Sequence, residues 1–261
     1  IVIWHLNDTY MPKFIRLIFF LLRKLPNAYI FSSRRTQIYY GNILSDVHVQ
    51  KKIIQAPVDT AYFHYLRGFK NKNIKNEKII IGTVGNVSPV KGTDIFIEIA
   101  SQLNHTSFNF EFLIVGLIPK TQKKYYRSLM NKIRKANIKN ITFTGAVDDT
   151  KYFLKKIDIY LCTSRFESSP LSVWEAMSMS KILISSNVGD VQDYLRLTGL
   201  NTVVQVGDIE NYIKNIMKFI YDQNLGYKYG LQLREISKKF LDISVCSQKH
   251  EEIYKKINYE K

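Results

Sequence analysis

The chain has 261 residues, and 46% of them are hydrophobic and 13% aromatic, which supplies enough apolar side chains for one large core or two small ones. This composition excludes disordered and fibrous proteins. Lysine and arginine outnumber aspartate and glutamate by 38 to 22, so the formal net charge is +16. A surface of this sign attracts anions such as phosphorylated substrates, acidic lipid headgroups or nucleic acid.

The two cysteines, Cys162 and Cys246, lie far apart without metal-ligand spacing, and we expect two buried, reduced thiols. No secretory signal peptide is recognisable, and residues 17–22, the longest apolar run of the basic N-terminal region, are too few to span a bilayer. We therefore expect a cytoplasmic protein. Because Ile1 to Trp4 resemble a strand already inside a sheet, we also expect that the start of a longer protein is missing.

Residues 11–25 have the periodicity of an amphipathic helix. Its basic side carries Lys13, Arg16, Arg23 and Lys24, with Phe20 among them. Its apolar side carries Phe14, Ile18, Leu21, Leu22 and Leu25. No acid occurs from Thr9 to Ser45, so this helix fits attachment to the anionic inner face of the cytoplasmic membrane. Packing of the apolar side on a sheet explains that side equally well, and both interpretations can hold together.

The next segments alternate between strand-like and helix-like patterns. The polar residues 70–77 predict an interdomain linker. The predicted strands cover residues 78–84, 111–116, 141–145, 157–162, 181–186 and 202–206. Such alternation is typical of a parallel, doubly wound sheet with right-handed crossovers. The clearest helices of the last part cover residues 209–221 and 244–257.

Residues 81–92 join the first of these strands to a helix and contain a turn with Gly85 and Asn86. A glycine at such a junction lets backbone amides approach a phosphate closely. Lys91, near the end of the turn, could neutralise charge that builds on a leaving diphosphate. The same glycine spacing is also common in ordinary strand-to-helix turns.

A helix start is predicted near Pro170, a residue suited to the first helical turn. Ser168 and Ser169 precede it and are candidates for the N-cap; with Pro170 they are also expected to line the donor site. The backbone amides around Leu171 and Ser172 have no partners within such a helix and lie at the positive end of its dipole. We expect them to hold a diphosphate without the help of a metal ion.

Two carboxylates flank this predicted helix start, eight positions apart. Glu175 lies four positions after Leu171 on the same face, which suits hydrogen bonds from vicinal ribose hydroxyls. Glu167 precedes the helix and could reach a hexose on the other side of the phosphates. The alternative is a solvated helix preceded by one surface carboxylate.

The segment from residue 164 to residue 177 resembles the glutamate-x7-glutamate motif of the family four retaining glycosyltransferases with the GT-B fold. The matching positions are Ser164, Glu167, Pro170, Leu171, Glu175, Ala176 and Met177. The turn that ends in Lys91 and Gly92 is similar to the donor-domain phosphate loop of the same family. An arginine commonly shares the phosphate role of that lysine, and Asn86 stands in its place here.

Weaker resemblances to the same family occur elsewhere in the chain. Gly116 and Gly145 end two predicted strands, where ligands of doubly wound sheets bind, and the resemblance implies that their loops border the nucleotide base. Ordinary turn glycines are the competing explanation. Asp190 replaces the second of two glycines that the family has before an acid. His5 resembles the histidine of the family's acceptor domain, although a lone histidine at a strand end is more often structural.

The resemblance implies an α/β protein of the GT-B fold with two Rossmann-like domains, of which the N-terminal one is only partly present. Residues 1–69 would be the C-terminal part of the acceptor domain, and residues 70–77 the linker. Residues 78–240 would form the complete nucleotide-sugar donor domain. Residues 241–261 would be a C-terminal helix that crosses back to the N-terminal domain.

The implied activity moves a hexose from a nucleoside-diphosphate sugar to a glycan or lipid-linked acceptor, with retention of configuration, in surface polysaccharide biosynthesis. Lys91 would hold the diphosphate, Glu175 the ribose and Glu167 the sugar. His5 would contact the transferred sugar or steady its developing charge. The chain contains no Asp-x-Asp pair, the feature through which metal-dependent transferases hold a cation. We therefore expect no metal, and no cofactor beyond the nucleotide-sugar co-substrate.

Three alternatives remain at this point. A GT-B relative such as a sugar-nucleotide epimerase or a phosphorylase is a second enzyme class. The charge alone also fits a non-catalytic module that binds an anionic surface or nucleic acid, but no nucleic-acid motif is recognised and we expect no nucleic-acid partner. A third alternative is an inert fragment, because most of the acceptor half is absent.

Overall fold

The structure is a computed structural model that describes residues 1–66, 73 and 77–259. The described residues form two parallel sheets. The first has three strands in the order β1 (Ile3–Leu6), β2 (Ala28–Phe31) and β3 (Gln50–Ile53). Helices α1 (Lys13–Leu22) and α2 (Arg34–Gly41) lie between these strands along the chain. Most of the predicted linker, residues 70–77, lies outside the described residues.

The second sheet has six strands in the spatial order β6-β5-β4-β7-β8-β9. In chain order they are β4 (Ile79–Val84), β5 (Phe110–Val115), β6 (Ile141–Phe143), β7 (Ile159–Cys162), β8 (Ile182–Ser186) and β9 (Val203–Val204). The intervening helices are α3 (Thr93–Leu103), α4 (Lys123–Lys135), α5 (Thr150–Lys156), α6 (Leu171–Ser178) and α7 (Val191–Leu195). The chain ends with α8 (Ile209–Tyr221), α9 (Gln223–Phe240) and α10 (Ile243–Tyr259).

Strands β4, β5, β7 and β8 read as nearly continuous apolar runs because both faces of the second sheet are covered by helices. Each observed strand lies within its predicted range or one residue beyond it. Phe112, Ile159, Leu161 and Trp174 are completely buried in the resulting core. The strands β6 and β9 at the two edges are the shortest of this sheet, and both are shorter than their predicted ranges.

The first sheet shows how alternating side chains divide between two small cores. Trp4 and Leu6 of β1 pack on one face with Phe19 of α1. Ile3, whose side chain alternates with those of Trp4 and Leu6 along the strand, packs on the opposite face against α10. Helix α10 therefore lies on the first sheet, although its preceding helix α9 packs on the second sheet.

The apolar side of α1 is exposed, so the expected packing of that side on a sheet is wrong. Only Phe19 of this helix is buried, with its ring 5.3 Å from Trp4 and 5.3 Å from Tyr40. Phe14 and Leu21 are 71% and 70% exposed. Phe19, which the sequence assigned to neither side, is the residue that packs on the sheet, and the predicted apolar side faces outwards.

The basic side of the same helix has fewer unpaired cations than the sequence predicted. The Arg23 guanidinium lies 3.6 Å from the centre of the Phe20 ring and 2.8 Å from the Asp46 carboxylate. Lys24 approaches the same carboxylate at 3.2 Å. An acid from just beyond the acid-free stretch therefore pairs with Arg23 and Lys24, whereas no ion pair is found for Lys13 or Arg16 among the described residues. Within the same part of the chain, no helix has the length and apolarity to cross a bilayer.

Candidate active site

The strand order of the second sheet reverses between β4 and β7, which are neighbours in space but not in sequence. The chain proceeds from β4 outwards to β6, then returns to β7 and proceeds outwards to β9. The loops that follow β4 and β7 therefore diverge and leave a crevice at the carboxyl ends of the strands, where open α/β sheets bind ligands. These two loops carry Lys91 and Glu167.

Lys91 and Glu167 contact each other directly. The ammonium nitrogen of Lys91 lies 2.6 Å from Oε1 of Glu167, and the hydroxyl of Ser164 donates a hydrogen bond of 2.8 Å to the same oxygen. The Glu167 side chain is only 12% exposed, and that of Lys91 is 33% exposed. The structure thus brings together two residues that were predicted as catalytic from separate motifs.

An arginine that sequence reasoning missed ties the two loops together. Arg165 donates to both carboxylate oxygens of Asp94 at 2.8 and 2.7 Å, and to the carbonyl of Pro89 at 2.6 Å. Burial alone would raise the pKa of Asp94, but hydrogen bonds from Arg165 and Tyr125 outweigh burial and lower that pKa to about 2. Asp94 is therefore ionised at neutral pH, and the bidentate pair holds the Glu167 loop against the Lys91 loop.

Gly92 is required by both its conformation and its surroundings. Its φ is +62°, which favours glycine, and a Cβ there would overlap the carbonyl oxygen of Thr163. Gly199 has a similar φ of +74° but open space around it. We expect Gly92→Ala to lower the free energy of unfolding by about 3 kcal/mol, because backbone strain adds to the overlap.

Gly199→Ala is the matched control, with an expected loss of about 1 kcal/mol from backbone strain alone. Urea unfolding of the two variants measures both losses. Equal losses would contradict the close approach of the two loops at Gly92 and Thr163.

Helix α6 begins at Leu171, close to the predicted start, but its expected N-caps are wrong. Pro170 is the last residue before the helix, and no side chain caps it. The Ser169 hydroxyl accepts hydrogen bonds from the indole of Trp174 at 3.0 Å and from the amide of Ala56 at 2.8 Å. Ser168 lies 3.3 Å from the hydroxyl of Thr36. Both serines therefore connect the second sheet to the first.

A pocket of about 350 Å³, called here the donor pocket, lies at this helix start. It is lined by Val84, Gly85, Lys91, Thr150, Glu167, Ser169, Pro170, Leu171, Ser172 and Glu175. Glu175 accepts a hydrogen bond of 3.4 Å from Thr150, and burial raises the pKa of its carboxyl group. The donor pocket is thus lined by two carboxylates, one lysine and the start of α6, whose first amides have no partners within the helix.

Four residues predicted to bind the donor, Asn86, Gly116, Gly145 and Ser168, are not among those that line this pocket. Gly116 and Gly145 pair with each other through a backbone bridge. A Cβ at Gly116 would overlap the carbonyl of Gly85, so the lack of a side chain at Gly116 lets its backbone pack against the Gly85 turn. Asn86 is exposed and, like the two glycines, is absent from the residues that line the described pockets.

A larger cleft of about 600 Å³ lies between the two sheets. The first sheet and its loops contribute His5, Asp8 and Gln55, and the second contributes Lys91 and Glu167. His5 is therefore brought to the same space as the two residues of the ion pair. It lies inside β1, whereas the sequence placed it just after the opening strand.

Asp190, which replaces a glycine of the family pattern, connects the two sheets. Its carboxylate accepts hydrogen bonds of 2.7 Å from the backbone amide of Arg34, at the start of α2, and from the side chain of Gln55. Burial raises the pKa of this carboxyl group, and these hydrogen bonds act in the opposite direction. Arg35 adds a bond of 2.6 Å to the carbonyl of Asn187. These contacts join α2 and the end of β3 to the loop after β8, and thereby connect the two sides of the cleft.

Comparison with known proteins agrees with this geometry. The model of the family "Glycosyl transferases group 1" matches residues 67–239. The lipopolysaccharide core biosynthesis mannosyltransferase LpcC of Rhizobium leguminosarum bv. viciae is 25% identical over 214 residues, which are 80% of this chain and 58% of the relative. The capsular polysaccharide biosynthesis glycosyltransferase CapH of Staphylococcus aureus is 28% identical over 163 residues, 61% of this chain and 45% of the relative.

The chain spans about half the length of the curated relatives it matches. Among solved structures, Anabaena Alr3699/HepE in complex with UDP superposes with a TM-score of 0.85 at 17% identity, over 97% of this chain and 72% of that chain. This likeness concerns the fold alone and confirms the expected GT-B architecture. On the strength of the family model, which matches well over half of its residues, the chain belongs to the group 1 glycosyl transferases.

Proposed function

We propose that this chain is a family four, retaining and metal-independent hexosyltransferase that uses a nucleoside-diphosphate sugar. The single observation that carries the proposal is the contact between Lys91 and Glu167 beside the start of α6. A cation, the first amides of α6, which have no partners within the helix, and a carboxylate line one pocket. A diphosphate needs the first two, and a sugar hydroxyl needs the third.

Residues 1–69 would act as part of the acceptor domain, residues 78–240 as the donor domain, and residues 241–261 as the crossover helix. Lys91 neutralises Glu167 at 2.6 Å. Binding of a diphosphate would give Lys91 a second anion, so that Glu167 can accept hydrogen bonds from the transferred hexose. Glu175 would accept hydrogen bonds from the ribose. Retention would follow if the leaving phosphate takes the proton of the acceptor hydroxyl on the same face of the sugar.

The acceptor would be a glycan or lipid-linked saccharide, and the process the synthesis of a surface polysaccharide. Relatives named for lipopolysaccharide core and capsule synthesis support this proposal. The nucleotide in the HepE structure is UDP, which makes UDP the first ligand to examine. We propose no cofactor for this reaction besides the nucleotide-sugar co-substrate.

Calorimetry with UDP, GDP and ADP tests the nucleotide proposal. We expect one of the three to bind with a dissociation constant in the micromolar range, roughly −8 kcal/mol, because a diphosphate would meet both Lys91 and the α6 amides. Binding by the wild-type chain without added divalent cation is part of the expectation. Failure of all three nucleotides, with and without Mg²⁺, would remove the proposed function.

We further propose peripheral attachment to the inner face of the cytoplasmic membrane through α1. The exposed Phe14, Leu17 and Leu21 would enter the headgroup region, and Lys13 and Arg16 would contact anionic lipids. Phe20 would join them at the surface, with Arg23 and Lys24 already paired to Asp46. In this proposal Lys13 and Arg16 of the predicted basic side contact lipid, whereas Arg23 and Lys24 do not.

Vesicle flotation tests the attachment. We expect the chain to float with phosphatidylglycerol-containing vesicles, less at high salt, and not with phosphatidylcholine alone. Leu21→Glu should abolish flotation because it places a charge on the inserted face. Ile38→Glu is the matched control, since Ile38 of α2 is also 70% exposed and should leave flotation unchanged. Equal binding to both vesicle types would contradict the proposal.

A further inference from the structure

Two histidines from opposite ends of the chain meet in the cleft. His5 lies on the face of the first sheet that α10 covers, two residues after Ile3. His250 belongs to the stripe of α10 that packs on this face, together with Cys246 and Ile253, because residues three and four apart share one side of a helix. Their rings are stacked, with centroids 5.4 Å apart and planes inclined by 9°.

The ring of His250 is fixed by its own helix. Its Nδ1 lies 2.8 Å from the carbonyl oxygen of Cys246. A carbonyl oxygen only accepts hydrogen bonds, so Nδ1 carries the proton and Nε2 is an acceptor in the neutral ring. The Tyr254 ring lies 6.2 Å from that of His250. Both histidines line the cleft that also contains Lys91 and Glu167.

This arrangement disfavours a positive charge on His5. His5 stays largely exposed to the cleft, but partial burial lowers the pKa of its imidazole, and the charge that His250 can carry lowers it further. The other ionisable groups of the cleft lining are Asp8, Lys91 and Glu167. Lys91 and Glu167 neutralise each other at 2.6 Å, and Asp8 accepts a hydrogen bond from the amide of Thr9.

We propose that His250 is a positioning residue for His5, whose ring it holds in a fixed plane by stacking. This inference rests on the proposed function, in which His5 contacts the transferred hexose. A neutral imidazole can exchange a hydrogen bond with a sugar hydroxyl without placing a cation beside an electron-deficient anomeric carbon. Because His250 lies on α10, the crossover helix would complete the site from the acceptor side.

Histidine titration by proton NMR on the full chain tests the proposal without any ligand. The His5 resonance is assigned by its absence in His5→Gln. We expect His5 to titrate at higher pH in both His250→Phe and His250→Gln, because each variant removes the neighbouring charge and Phe keeps the stacked ring. Cys246→Ala, one turn earlier in the same interface, should leave the His5 titration unchanged. An unchanged His5 titration in both His250 variants would overturn the proposal.

Turnover of a nucleotide sugar, measured as diphosphate release, separates positioning from packing. In His250→Phe we expect nucleotide affinity within twofold of wild type and a turnover loss at pH 6 that exceeds the loss at pH 8 by about threefold or more. The sign follows because His5 with a higher pKa is protonated sooner as the pH falls. Equal losses at both pH values would show that His250 only packs. If no nucleotide binds, the proposed function fails, whereas the NMR titration still decides whether the two rings are coupled.

Discussion

Replacement of Lys91 by methionine should lower turnover by about 100- to 1000-fold, the range measured when a preorganised group that stabilises transition-state charge is removed. Nucleotide affinity should fall about 10- to 100-fold, because a charge-assisted hydrogen bond contributes about 1.5–3 kcal/mol. Among the described residues that line the cleft and the donor pocket, Lys91 is the only lysine or arginine. With Asn86 in the place of the family's arginine, no second base shares its task there.

The same variant should change stability less than it changes turnover. The lysine stem packs beside Gly85, where a Cβ would lie 3.4 Å from Cδ of Lys91, and methionine preserves an unbranched stem of similar length. Glu167 is only 12% exposed, so loss of its ion pair costs about 1–3 kcal/mol, more than loss of a surface pair would. Ser164 still donates to Glu167. A large rate loss with a smaller loss of stability would therefore identify Lys91 as a functional group.

Lys78→Met provides the control for this experiment. Lys78 makes a similar ion pair, 3.0 Å from Glu111, and its side chain is 64% exposed. Its pair lies at the start of β4, at the opposite end of the strand from the Lys91 loop. We expect unchanged turnover and unchanged nucleotide affinity. Turnover of Lys91→Met within about threefold of wild type would contradict the assignment of the diphosphate to Lys91.

The second sheet was predictable because its elements are local patterns. Buried parallel strands read as apolar runs, and the helix Ile209–Tyr221 was predicted with its observed bounds. The motifs also indicated Lys91 and Glu167, although their contact depends on strand order. A single sequence does not reveal that β4 and β7 become neighbours, and only this pairing brings the two loops together.

The features that sequence reasoning missed all depend on distant partners. Arg165 falls in a variable position of the motif, and nothing in the pattern indicates a bond to Asp94, 71 residues away. Asp46 lies beyond the acid-free stretch and still pairs with Arg23. Ser169 has the composition of an N-cap, but the indole of Trp174 and the amide of Ala56 compete for its hydroxyl. Tertiary contacts overrule local preference at such polar positions.

Replacement of Glu175 by glutamine should weaken nucleotide binding and at the same time stabilise the empty protein. The carboxylate is partly buried beside Thr150, from which it accepts a hydrogen bond of 3.4 Å. Burial raises the pKa of Glu175, which means that its ionised form is disfavoured in the folded state. Glutamine removes this unfavourable charge, so we expect the melting temperature of the empty chain to rise by about 2–4 °C, equivalent to about 1 kcal/mol.

The opposite effect on ligand binding follows from the proposed ribose contact. Hydroxyl groups donate more strongly to a carboxylate than to an amide oxygen, and loss of the charge should raise the dissociation constant of the nucleotide about 10-fold or more. Glu235→Gln is the control, because Glu235 is 69% exposed on α9 and should leave both affinity and melting temperature unchanged. Calorimetry and thermal unfolding of the two variants measure both quantities.

The dependence on pH gives the same test without a mutation. The folded chain holds the Glu175 proton more tightly than the unfolded chain, so stability from this group increases as the pH falls from the raised pKa towards the ordinary glutamate value of 4.5. Nucleotide affinity should decrease over the same interval, because protonation removes the charged acceptor. In Glu175→Gln this part of both pH dependences should disappear. Unchanged affinity in the variant, or an affinity that falls equally with pH in variant and wild type, would exclude Glu175 as the ribose ligand.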